Sequence, residues 1–113
     1  MTERLVTVVV GSAAPREALE ACLTALEPQR GLAEVLVCEA RESPSELRER
    51  FSWASFHVAE GALVPELWRD GIDRARGTIV ALTIAQMVPA ADWVDSIVEQ
   101  HRRFDAVGGA IDP

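Results

Sequence analysis

Apolar residues in this chain follow two rhythms that alternate from one end to the other. "RLVTVVVG" (4–11) is a nearly unbroken β-branched run, as expected of a strand covered on both faces. Residues 15–27 place Leu19, Cys22, Leu23 and Leu26 on one face of a helix. "AEVLVCEA" (33–40) returns to the strand rhythm. "SPSELRERF" (43–51) opens with Ser43 and Pro44, residue types that cap and start a helix. "ASFHVAE" (54–60) predicts a third strand, more polar and therefore near a sheet edge. Residues 64–75 predict a helix that ends before Gly77, with Arg74 and Arg76 where cations suit the helix dipole. Gly71 falls inside that helix at a cost of roughly 1 kcal/mol relative to Ala, which implies close backbone packing. "TIVAL" (78–82) predicts a fourth strand leading into a linker of Thr83, Ile84, Ala85 and Gln86. Residues 91–104 predict a helix with Trp93, Val94, Ile97, Val98 and His101 on one side, and "AVGG" (106–109) a fifth strand.

Strands alternating with helices across short connections imply right-handed crossovers. The expected fold is an α/β, Rossmann-like three-layer sandwich around a mainly parallel sheet of about five strands. No repeat or linker divides the chain, so residues 1–113 are read as one domain. Hydrophobic residues at 49% and charged residues at 26% suit a packed protein rather than a disordered one.

Charge and residue usage then remove several function classes. A net charge of −7 argues against nucleic acid as a partner, because non-specific binding to it rests on clustered cations. All 11 basic residues are Arg, so there is neither a phosphate-loop lysine nor a Schiff-base lysine. The first strand leads into "GSAAPRE", without a glycine-rich dinucleotide fingerprint. No apolar run is long enough for a signal peptide or a membrane span, and a cytoplasmic protein is expected. Cys22 and Cys38 lack metal-ligand spacing and are read as reduced, buried thiols. His57 and His101 have no acid or cysteine at ligand spacing, so no metal role is assigned to them.

Four stretches carry a resemblance to a known family: "TVVVGSAAPREALEACLTAL", "EVLVCEARES", "GALVPELWRDGIDRARGTIVAL" and "MVPAADWVDSIVEQHRRFDAVGG". Within them Gly71-Ile72, Ala75-Arg76-Gly77, Pro89 and Asp92-Trp93 are the distinctive positions. The order of segments resembles the N-terminal, nucleotide-binding half of family-2 glycosyltransferases with the GT-A fold. That resemblance implies a nucleotide-sugar ligand and a Mg²⁺ or Mn²⁺ cofactor held by an Asp-x-Asp motif at the end of the fourth strand. Here the motif falls on Ile84-Ala85-Gln86, which offers no carboxylate, whereas these ions want hard anionic oxygens. The family's base-contacting Asp pair is replaced by Cys38-Glu39, and its first loop by Gly11-Ser12-Ala13-Ala14.

The expectation is therefore a truncated GT-A domain with no metal ligand and no catalytic residue. Its candidate nucleotide-binding residues are Ser12, Glu39 and Gln86. Ser12 is placed before a helix N-terminus that could receive an anion, and Glu39 at a strand end where α/β folds place ligands. Gln86 brings one neutral carbonyl to the former metal turn. The acceptor-binding half lies beyond what the resemblance covers, so a homo-oligomer or a protein partner is expected to cover the apolar surface it would have buried. Two alternatives stand beside this reading: an active transferase half completed by another polypeptide, and an unrelated α/β nucleotide-binding module.

Overall fold

The computed structural model describes residues 6–13 and 15–103. Four strands form one sheet in which every neighbouring pair is parallel: β1 (Val6–Ser12), β2 (Ala33–Glu39), β3 (Ser55–Val58) and β4 (Ile79–Ile84), in the order β3-β2-β1-β4. The helices are α1 (Arg16–Leu26), α2 (Ser45–Arg50), α3 (Val64–Arg74) and α4 (Trp93–Arg103), and a 3-10 turn (Glu27–Gln29) extends α1. The architecture is thus the expected parallel α/β sandwich, with four strands among the described residues. The strand predicted at 106–109 lies outside them.

β1 is central, and all seven of its residues are buried, which explains its continuous β-branched composition. One of its faces carries Val6, Val8 and Val10, packed with Leu19, Cys22, Leu23 and Leu26 of α1, Leu47 of α2, and Val94 and Ile97 of α4. The opposite face carries Val9, which joins Cys38, Val80 and Leu67 of α3. Helices α1, α2 and α4 therefore cover one side of the sheet, and α3 covers the other. β3 is the short edge strand that its polarity predicted, with every residue at least partly exposed.

Gly71 is buried where α3 crosses β1. A Cβ built there would lie 2.2 Å from Val9 Cγ1 and 2.9 Å from its Cγ2, so only glycine permits this approach. Buried polar side chains fasten the ends of the elements. Thr7 Oγ1 donates to Glu34 Oε1 at 2.8 Å and accepts from the Gly77 N–H at 2.8 Å, which ties the turn before β4 to the sheet. Gln29, 3% exposed, donates to Ala90 O and accepts from the Val94 N–H, each at 2.8 Å. One side chain thus holds the segment that leads into α4 and satisfies an N–H of its first turn. Among the described residues no helix is long and apolar enough to cross a membrane.

Two local expectations are corrected. Ser43 does not cap α2, because the helix begins two residues later with Pro44 at its N-cap and no side-chain cap bond. The fourth strand does not stop at Leu82. It pairs with β1 through Ile84↔Gly11, since β1 itself extends to Ser12 and offers partners that far.

Candidate functional site

Because every neighbouring pair is parallel, the C-terminal ends of all four strands lie at one edge of the sheet. β2 sends its connection to α2 on one face, while its neighbour β3 sends its own to α3 on the other. Loops that diverge in this way leave a crevice between them, the place where open α/β sheets bind ligands. A cleft of about 710 Å³ occupies this position, within the size range of small-molecule sites. Three loops line it. The β1–α1 loop gives Ser12, Ala13 and Pro15, with Arg16 and Leu19 following on α1; the β2–α2 loop gives Ala40 to Pro44; the β3–α3 loop gives Glu60, Gly61 and Ala62. Gly61 has φ 73°, so the last loop turns through a backbone conformation that suits glycine.

Two of the candidate residues meet at this edge. Ser12 is the register partner of Glu39 across the β1–β2 pair, and both are buried, Ser12 at 6% and Glu39 at 1% exposure. The Ser12 carbonyl also accepts from the Ala40 N–H at 2.9 Å, so the pairing continues past the strand end. Glu39 Oε1 accepts a hydrogen bond from Ser43 Oγ, and Ser43 lines the cleft. Glu39 Oε2 is buried with no partner among the described residues, and the same is true of Arg48 Nε on the neighbouring helix. Burial raises the Glu39 pKa above the usual carboxylate range, against the opposing pull of the Ser43 hydrogen bonds and the Arg48 charge. An orphaned buried carboxyl oxygen costs about 1–3 kcal/mol, so a ligand or water that donates to it would be favoured.

Gln86 is not part of this cleft. It is exposed and follows Ala85, whose N–H donates to Gly11 O at 3.1 Å. That bond carries the β4 end alongside β1 while Ala85 itself is fully buried. The metal turn that the resemblance implies would stand here, and the residues do not fit a divalent cation. Ile84 is apolar, Ala85 points no donor anywhere, and Gln86 brings one neutral amide oxygen. Among the described residues no group of three or more His, Cys, Asp or Glu side chains is placed to hold a metal ion.

Arg16, Arg41 and the Glu60–Ala62 loop are cleft residues that periodicity did not single out. Their signals are weak in one dimension: Arg16 reads as an ordinary first-turn residue, and Arg41 as one charge in the sign-alternating run that starts at Glu39. The thiols of Cys22 and Cys38 are buried and free, and burial pushes both up to about 11. They are too poorly ionised at neutral pH to act as nucleophiles. His57, on the edge strand, has its pKa lowered, first by burial and then by the Arg74 charge. No protein-family model matches this chain, and neither does any curated protein.

Proposed function

We propose that this chain is a family-2 glycosyltransferase-like domain that binds a nucleotide or nucleotide-sugar in the strand-end cleft and is catalytically silent by itself. The observation that carries the reading is the strand-end cleft of nucleotide size, lined by Ser12, the register partner of Glu39, and by Ser43, which donates to the buried Glu39 carboxylate. Silence follows from the other side of β1. Transfer of a sugar leaves a nucleoside diphosphate on which negative charge accumulates, and a metal ion normally offsets that charge. Ile84, Ala85 and Gln86 supply no anionic oxygen to hold one, and no lysine stands in.

Calorimetric titration of UDP, GDP and their sugar conjugates, with and without MnCl₂, tests the reading. Saturable binding of at least one nucleotide without release of free sugar is the expected result. Silence across all of them would remove the nucleotide, and manganese-dependent turnover by the isolated chain would restore an active transferase. We also propose self-association, supported by the adjacent Met87 and Val88, which are 57% and 63% exposed. A protein that stays strictly monomeric in light scattering at high concentration would count against self-association.

A further inference from the structure

Within the cleft of a chain whose net charge is −7, the unpaired charge is mainly positive. Four charged residues line it: Arg16, Arg41, Glu42 and Glu60. Glu42 is already engaged, its Oε2 lying 3.1 Å from Arg48 Nη2. Arg16 and Arg41 are exposed and, like Arg30 and Arg69 outside the cleft, have no ion-pair partner among the described residues; Glu60 is the one unpaired acid beside them on the cleft wall. Arg16 also begins α1, an 11-residue helix that starts without a side-chain cap. The first-turn N–H groups of such a helix carry partial positive charge and favour an anion.

We propose that Arg16 and Arg41, and not a divalent cation, hold the phosphoryl groups of a nucleotide ligand in this cleft. The inference rests on the nucleotide reading above and adds the means of charge compensation. It follows from two halves of one molecule. The turn at Ile84-Ala85-Gln86 cannot bind the cation that a diphosphate would otherwise bring. The start of α1 and the β2–α2 loop place Arg16 and Arg41 on the wall of the cleft, each carrying a fork of donors matched to phosphate oxygens. Ser12 and Ser43, which also line the cleft, remain for the uncharged part of the same ligand.

The test titrates UDP, uridine and inorganic pyrophosphate into the intact chain in EDTA and again in Mn²⁺. Wild type is compared with Arg16→Ala, Arg41→Ala, the double variant, and Arg69→Ala, an exposed arginine of α3 outside the cleft. Circular dichroism establishes that each variant is folded. Each cleft substitution is expected to weaken UDP and pyrophosphate by roughly 10-fold or more, the usual size of a charge-assisted hydrogen bond. Arg69→Ala and the switch from EDTA to Mn²⁺ should leave binding unchanged, and raising the salt should weaken it. UDP affinity that survives in the double variant, or that vanishes in EDTA, overturns the arginine proposal and leaves the nucleotide reading standing. Arginine-dependent binding of pyrophosphate, with UDP no tighter, supports the anion site and removes the nucleoside. No binding of either ligand overturns both.

Discussion

Gly71→Ala separates a packing argument from a propensity argument, because the two predict opposite signs. In an exposed helix the substitution would stabilise by about 1 kcal/mol through backbone entropy. In α3 the new methyl would meet Val9 Cγ1 at 2.2 Å. Reaching an ordinary contact of roughly 3.5 Å requires a shift of about 1.3 Å. Val9 cannot supply it, since it is fully buried in the central strand and its β-branched side chain is stiff at χ1. The helix must move away instead. Doing so loosens Leu67 against the sheet and strains the bond from Trp68 Nε1 to Thr83 O, which is 2.8 Å long. Overpacking of this kind costs about 1–3 kcal/mol, occasionally more, and the close contact places the cost at the upper end. The net expectation is a loss of roughly 2 kcal/mol after the propensity gain is subtracted. In urea, with a slope of roughly 2 kcal/mol per M, the midpoint should fall by about 1 M at unchanged slope. Tryptophan fluorescence can follow the transition. Adding Val9→Ala in the Gly71→Ala background should make the pair less destabilising than the sum of the singles, with a coupling of about 0.5–3 kcal/mol. A Gly71→Ala protein as stable as wild type, or more so, would refute the close crossing of α3 over β1.

Gln29→Ala removes the bonds to Ala90 O and Val94 N and leaves both backbone groups without a partner. It should cost about 2–4 kcal/mol, with faster amide exchange at Val94 than at β1. Glu39→Gln tests the buried carboxyl through pH. Because burial raises the folded-state pKa above the ordinary value of 4.5, the stability tied to the neutral form is fully present below that value and is lost as pH rises through the folded pKa. The variant should therefore match wild type near pH 4 and melt higher at pH 7; a gap of the opposite sign would mean that the Arg48 charge outweighs burial. Both thiols, held up to about 11 by burial, should ignore a disulfide reagent at pH 8 until urea unfolds the chain, and then react together. Prompt reaction of either thiol in the native protein would contradict its buried position.

Periodicity made the frame legible because burial in a parallel sheet leaves a one-dimensional trace. Val6 to Val10 are covered on both faces, so they read as an apolar run. Leu19, Cys22, Leu23 and Leu26 are covered on one face, so they read at helical spacing. Gly71 also announced itself, since a glycine in a helix has few causes and a close neighbour is one. What stayed hidden depends on distance along the chain. Gln29 reads as a polar residue after a helix, and only the fold brings it to Ala90 and Val94, 61 and 65 residues away. Ser43 looked like a helix cap because Ser before Pro is a common start. Its hydroxyl is instead directed to Glu39, a buried acid with greater need of a donor. Arg16 begins α1 and Arg41 lies on the β2–α2 loop, and nothing in their local sequence says that the two share a cleft.

The same contrast separates what the backbone fixes at the end of β1 from what side chains would have to supply. At the end of β1, Gly11 O accepts from the Ala85 N–H on one side, and Ser12 O accepts from the Ala40 N–H on the other. Both bonds run from backbone to backbone, so the path of the chain there is indifferent to the side chains at positions 84 and 86. Metal binding has no such indifference, because it needs carboxylate oxygens at those positions. Ile84 and Gln86 therefore leave the turn standing without offering the carboxylates that a cation would need. The proposed anionic ligand would find positive charge instead at Arg16 of α1 and Arg41 of the β2–α2 loop. Arg16 and Arg41 line the cleft and residues 84 and 86 do not, which is why mutating the arginines is more informative than placing carboxylates at 84 and 86.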